Sequence, residues 1–138
     1  MEMQFAQIRD RIEAAGTAPI DIGPLLGAWI NSNPDTTGIA RMLVTESHGD
    51  LSLQVHAIGP NGLIDWGSTG INVFTPAPTS AVASGFTAAF DFGFIDIRLE
   101  AMILKGLIVL AQIHTFKDNS GRVDYFVREY FALEHGRY

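Results

Sequence analysis

The fold is decided by the stretch Ile95-Asp96-Ile97-Arg98-Leu99-Glu100-Ala101-Met102-Ile103, in which apolar residues alternate with charged or long ones. This period of two is typical of a half-buried β-strand, whose successive side chains point to opposite faces of a sheet. Lys105-Gly106 follows after Leu104. Glycine at the second position of a two-residue loop accepts the positive φ of a tight hairpin turn. We therefore expect residues 107–116 to fold back antiparallel on residues 95–104.

This hairpin determines which residues share a face. If Lys105-Gly106 is the whole loop, Gln112 lies opposite Leu99. His114 then lies opposite Ile97. One apolar face of the hairpin would thus contain two polar side chains.

A second loop, residues 117–122, returns the chain as a third strand. In the register that we favour, Tyr125 lies beside His114, and Glu129 lies beside Leu110 on the same face. The side chains that converge there are Gln112, His114, Tyr125 and Glu129. In the alternative register, shifted by one residue in the loop, the side chains on that face would instead be those of Asp124, Arg128 and Tyr130.

The rest of the chain predicts one helix and a series of hairpins. Residues 1–16 carry Phe5, Ile8 and Ile12 at helical spacing, which predicts an amphipathic helix that covers one barrel end as a lid. Residues 17–24 form a connector, and residues 25–134 contain about eight short strands in sequential hairpins. The expected fold is all-β: one domain, residues 1–138, built as an antiparallel up-and-down β-barrel. Such a barrel encloses packed side chains or a single small ligand.

Two places along these strands leave alternatives open. Residues 63–74 form either one strand broken by a bulge or two short strands. Phe92-Gly93 either turns the chain, with Phe90 opposite Ile95, or merely bends a continuous strand.

Composition argues against several classes of protein. The chain has 138 residues, enough for one domain with its own core, and no cysteine for disulfides or a thiolate metal site. A net charge of −6 argues against a nucleic-acid partner, which needs clustered Lys and Arg. The polar start and the lack of a long apolar run predict a cytoplasmic protein without a membrane partner. The histidines are spread singly, so we expect neither a metal site nor a cofactor.

Gly27-Ala28-Trp29 stands at the start of the first predicted strand. It resembles the G-x-W signature of the calycin barrels, the lipocalin and avidin types. In those barrels the tryptophan packs across the closed end, so the resemblance implies the same position for Trp29. The loop motif of lipocalins is missing, and the resemblance therefore implies an architecture.

The polar residues of the shared face are the candidates for chemistry. Imidazole, phenol and carboxylate in an apolar wall can move a proton or hold a carbonyl, so we predict catalytic roles for His114, Tyr125 and Glu129. The alternative is an inert core, in which His114 and Gln112 satisfy each other and Glu129 meets water at the rim. Substrate contacts are predicted for Gln112, Trp66, Phe86, Phe90, Leu99 and Phe116.

A cavity that orders a flexible apolar substrate lowers a reaction barrier without a cofactor. In its size and predicted lid helix, the chain resembles small cofactor-free barrels that close rings in polyketide or terpenoid pathways. The resemblance implies a cyclase or isomerase that acts on a hydrophobic small molecule. Two alternatives remain: a non-catalytic carrier of a hydrophobic ligand, and an interaction module whose apolar strand faces form an oligomer, such as a homodimer.

Overall fold

A computed structural model of the protein describes residues 19–135. After a short 3-10 helix at Gly23–Leu25 come nine strands: β1 (Gly27–Asn31), β2 (Ile39–Ser47), β3 (Asp50–Gly59), β4 (Gly62–Gly70), β5 (Asn72–Phe74), β6 (Gly85–Asp91), β7 (Ile95–Leu104), β8 (Leu107–Phe116) and β9 (Tyr125–Leu133). Their order across the sheet is β4-β3-β2-β1-β9-β8-β7-β6-β5, and every ladder is antiparallel. The prediction of an antiparallel up-and-down all-β barrel is thereby confirmed, although the barrel is only nearly closed.

The described residues contain nine strands rather than the predicted eight or so. The additional strand arises because β4 ends at Gly70 and β5 begins at Asn72. β5 pairs with β6, whereas β4 pairs with β3, so the two segments belong to opposite edges of the sheet. Residues 63–74 therefore belong to two strands, the second of the two alternatives. The first of these strands, β4, also carries a bulge.

The predicted register of the last two hairpins is confirmed. In the Lys105-Gly106 turn φ is 54° and 80°, the pair of positive values that a two-residue type I′ turn requires. His114 lies opposite Ile97 on β7 and opposite Tyr125 on β9. The slipped register, with Arg128 on the inner face, is wrong.

The β6–β7 hairpin differs in detail from its prediction. The chain does turn at Gly93 rather than bending there, but Phe90 lies opposite Ile97 and not opposite Ile95. The two-residue loop is Gly93-Phe94 rather than the predicted Phe92-Gly93, because the Phe92 N–H donates to the Ile95 carbonyl at 3.0 Å. A shift of two residues keeps side chains on the same face, so Phe90 still points inward.

The barrel is closed by packing at the end that holds the Lys105-Gly106 turn. Trp29 lies there with 2% of its surface exposed, and its indole N–H donates to the buried Leu25 carbonyl at 2.9 Å. This is the position that the calycin resemblance implies. The core above it is formed by inward residues of β2, β3 and β6 to β9, among them Met42, Val44, Leu53, Val55, Phe86, Leu99, Ile108, Leu110 and Phe131.

The gap in the barrel lies between β4 and β6, which share no ladder in the described part of the chain. Two contacts bridge it. The Thr69 hydroxyl donates to the Ala89 carbonyl at 3.2 Å, and the Trp66 ring packs edge-on against Phe90 and Phe92, with centroids 5.6 Å apart in both cases. Side chains rather than backbone hydrogen bonds therefore join the two edges.

The predicted lid helix, residues 1–16, lies outside the described residues. Of the predicted connector, residues 17–24, the described part is tied to the barrel through Asp21. Its N–H donates to the Ala81 carbonyl at 2.7 Å, and its carbonyl accepts from the Ala83 N–H at 2.8 Å. The connector thus contacts the chain just before β6.

Candidate functional site

A cleft of about 510 Å³ occupies the barrel end opposite the Lys105-Gly106 turn. It lies where β3 and β8 end and β9 begins, beside the loop between β1 and β2. Its wall is formed by Asn33, Asp35, Thr36, Thr37, Gly38, Ile39, Ala57, Ile58, Ile64, Trp66, Gln112, His114, Tyr125, Val127 and Glu129. One side of the wall is therefore mainly polar and the other mainly apolar.

Glu129 is the centre of the polar side. Its Oε2 accepts hydrogen bonds from the Asn31 amide at 2.7 Å and from the Thr36 hydroxyl at 2.8 Å. Its Oε1 accepts from the Gln112 amide at 3.1 Å. Three donors from β1, the first loop and β8 thus hold one carboxylate on β9.

This arrangement determines the tautomer of His114. Because a carboxylate only accepts, Gln112 directs its amide nitrogen to Glu129 and leaves its carbonyl oxygen for His114. His114 Nε2 lies 3.3 Å from that oxygen and must donate to it. The proton is then on Nε2, and Nδ1 presents a lone pair. Nδ1 is buried and has no hydrogen-bond partner among the described residues.

The aromatic ring of Tyr125 covers this imidazole. The two rings are stacked, with centroids 4.2 Å apart and planes 11° apart. Tyr125 itself is 47% exposed at the cleft rim, whereas His114 is 5% exposed. Burial lowers the pKa of His114 and raises the pKa of Tyr125. Both side chains are therefore predominantly neutral near pH 7.

Trp66 reaches the apolar side of the cleft through a β-bulge. On β3, Val55 and His56 are consecutive, but their partners on β4 are Gly67 and Asp65. Trp66 is the extra residue between those partners, and a bulge of this kind redirects a side chain and bends the strand. Here it places the indole between the cleft and the gap in the barrel.

The structure brings together five of the predicted site residues. Gln112, His114, Tyr125, Glu129 and Trp66 all line the cleft. The other four lie elsewhere: Phe86, Phe90 and Leu99 belong to the buried core, and Phe116 packs beneath the guanidinium of Arg122, 4.3 Å from its ring centroid.

Two residues of the polar network were missed in the sequence. Asn31 is the last residue of β1, and Thr36 lies in the loop between β1 and β2. A signal for Asn31 was present, since Trp29 points inward and the period of two turns Asn31 inward as well. Thr36 carried no such signal, because a loop has no period.

The described residues contain neither a candidate metal cluster nor a candidate membrane helix. No group of three or more His, Cys, Asp or Glu side chains that could hold a metal ion occurs among residues 19–135. Within the same range, no helix has the length and apolar character needed to cross a membrane.

The likeness to calycins is one of architecture. It consists of the antiparallel up-and-down barrel and of Gly27-Ala28-Trp29 on β1. No protein-family model, no curated protein and no solved structure matches the chain.

Proposed function

We propose that the protein binds a small, mostly apolar molecule in the cleft and acts on it as a cofactor-free cyclase or isomerase. His114 is the catalytic residue of this proposal: its Nδ1 accepts a proton or a hydrogen bond from the bound substrate. Glu129 is a positioning residue that acts through Gln112, rather than the proton carrier that the sequence suggested.

The buried Nδ1 of His114, which has no hydrogen-bond partner within residues 19–135, carries this proposal. A buried acceptor without a donor costs about 1–3 kcal/mol, and folded proteins rarely leave one unpaired without a reason. In the cleft wall, a donor on the ligand removes that cost. The substrate that fits is apolar over most of its surface and carries one hydroxyl or one acidic C–H.

The neutral state of His114 supports the same role. A protonated imidazole has no lone pair, whereas burial keeps this one neutral and able to accept. A general base must be unprotonated at the working pH in order to accept a proton. Tyr125 covers the ring, and in this proposal it turns aside as the substrate enters.

The shape of the cleft supports pre-ordering of the substrate. Ile64 and Trp66 line the cleft from β4 and the polar side chains line it from β8, β9 and the first loop, so a bound molecule would be oriented by its polar group on one side only. Holding a flexible chain in one reactive conformation lowers the barrier to ring closure without covalent chemistry.

Proton abstraction can be tested with the probe 5-nitrobenzisoxazole, which is small enough for the cleft. A base removes its ring C–H proton, the ring N–O bond breaks, and a coloured cyanonitrophenolate is released. We expect the wild-type protein to accelerate this reaction by about 10²-fold over the His114→Phe variant, the usual contribution of a positioned base. Absorbance of the phenolate measures the rate.

His56→Asn is the matched control. His56 also has a buried Nδ1 with no partner in the described part of the chain, but it does not line the cleft. Its Nε2 lies 3.9 Å from Asp65 Oδ2. This variant should keep the wild-type rate. Equal rates for wild type and His114→Phe would show that His114 is not the base.

A non-catalytic carrier is the second candidate. It is favoured because the polar side chains of the cleft already interact with one another. Three protein donors bind Glu129, and the Tyr125 ring covers His114. A carrier predicts saturable binding of an apolar probe that is equal in wild type and His114→Phe, with no conversion of the benzisoxazole by either protein.

A further inference from the structure

The outer face of β8 is apolar at the centre of the sheet. Val109, Ala111 and Ile113 point away from the barrel, because their neighbours Ile108, Leu110 and Gln112 are buried inside. The outer face of an antiparallel strand in water usually carries polar residues. A central apolar strand on the outside therefore indicates a contact surface.

The strands on either side provide flanking residues in register. On β7 the outward residues are Arg98, Glu100 and Met102, and on β9 they are Phe126, Arg128 and Tyr130. Three rows result across β7, β8 and β9, namely Arg98-Ile113-Phe126, Glu100-Ala111-Arg128 and Met102-Val109-Tyr130. Three of the flanking side chains are large and apolar or aromatic, and they are well exposed: Met102 54%, Phe126 65% and Tyr130 43%.

The middle row has an acid at one end and a base at the other. A two-fold axis parallel to β8, lying between two facing sheets, exchanges the two ends of each row. Glu100 of one protomer then faces the partner's Arg128, and Arg98 faces the ring of the partner's Phe126. Opposite charges and a cation over an aromatic face are both favourable arrangements. Within the chain, Glu100 Oε2 already accepts from Arg98 Nε at 2.9 Å, and the partner's Arg128 would join this exposed ion pair. The patch is complementary to itself in charge.

The remaining contacts fit the same axis. Met102 faces the partner's Tyr130, a sulfur-aromatic contact. Ala111 lies at the centre of the patch, where its small side chain allows the two β8 strands to approach closely. A self-complementary patch of this kind is what an isologous two-fold interface requires.

We propose that the outer faces of β7, β8 and β9 form a homodimer interface between two copies of this chain. Three strands about 4.8 Å apart give a narrow patch on a convex surface, which is smaller than the interfaces of permanent dimers. The dimer should therefore be weak, with a Kd of roughly micromolar size. This interface is independent of the cleft and of the proposed function.

Charge reversal tests the arrangement. Sedimentation velocity of the full-length protein, from micromolar to millimolar concentration, should show a reversible monomer–dimer equilibrium. Glu100→Arg and Arg128→Glu each place like charges opposite one another and should raise Kd by about tenfold or more. The double variant Glu100→Arg/Arg128→Glu restores opposite charges and should recover most of the wild-type affinity.

Glu46→Arg is the control, since Glu46 is an exposed strand glutamate on β2, outside the patch. It should leave Kd unchanged. A wild-type chain that stays monomeric up to millimolar concentration overturns the proposal. A dimer that responds equally to the single and double variants, or to neither, also overturns it, because the pairing of Glu100 with the partner's Arg128 would then be absent.

Discussion

His114 is held in one tautomer by residues that never touch its free nitrogen. Glu129 accepts a hydrogen bond from the Gln112 amide nitrogen, and the Gln112 carbonyl oxygen accepts one from His114 Nε2–H. Nδ1 of His114 is therefore left as an acceptor. Each step follows from the fact that a carboxylate only accepts. The chemistry proposed for His114 therefore depends on Glu129, which acts on it through Gln112.

The lowered pKa of His114 predicts a pH dependence of stability. Burial places the folded-state pKa below the ordinary value of 6.5, so the unfolded chain binds the proton more readily. The stability that depends on a neutral His114 is fully present above the ordinary pKa. It is lost as the pH falls through the lowered pKa of the folded state. The free energy of unfolding should thus decrease as the pH falls below the ordinary value of 6.5.

Urea denaturation over that range measures the effect. His114→Phe keeps a ring against Tyr125 but cannot be protonated, so its stability should decrease less steeply with falling pH than that of the wild type. Parallel curves for the two proteins would show that His114 is not buried as a neutral imidazole.

Single side chains of the site were predictable only where a strand imposed a period. Gln112, His114, Tyr125 and Glu129 were found because alternation on β8 and β9 turns all four inward. The hydrogen bonds among them depend on side-chain conformations, and alternation does not determine those.

At the level of elements, turn geometry decided which registers were predictable. The Lys105-Gly106 turn has a single two-residue solution, and the register that follows from it is confirmed. The turn at Gly93 allows two-residue loops that differ by one position, and Phe92-Gly93 was the wrong one, because Phe92 lies opposite Ile95. The bulge at Trp66 depends on how β3 and β4 meet, which neither strand shows alone.

Gly85 at the start of β6 gives a test of strand packing. A Cβ atom at this position would lie against the Ala101 carbonyl oxygen on β7, a backbone atom that cannot move without shifting the strand. Gly85→Ala should therefore lower the free energy of unfolding by about 1–3 kcal/mol, the usual cost of overpacking. Equilibrium denaturation in urea measures it.

Gly70→Ala is the matched control. Gly70 also lies in a strand, but a Cβ atom there would meet open space, and its backbone does not have a positive φ. Its stability should stay within about 0.5 kcal/mol of the wild type. Equal losses for the two variants would mean that β6 and β7 are not packed as closely as described.

At the scale of the whole molecule, the barrel has one end where Trp29 is buried and an opposite end with the cleft of His114. The sequence predicted the architecture, because alternation and turns recur along residues 25–134. It did not show which end is open, because that depends on how the loop over residues 32–38 meets the ends of β8 and β9. The two tryptophans of the chain report on the two ends: Trp29 on the packed end and Trp66 on the cleft.

Fluorescence quenching by 4-nitrobenzyl alcohol tests the central claim most directly, since this probe is mostly apolar, carries one hydroxyl and quenches indole on contact. In Trp29→Phe, where Trp66 is the remaining tryptophan, the quenching should be saturable. It should be tighter for the alcohol than for 4-nitrotoluene, and His114→Phe should abolish that preference. In Trp66→Phe, the emission of Trp29 should show no saturable quenching. Saturable quenching of Trp29 alone, or of neither tryptophan, would contradict a ligand site at the open end of the barrel.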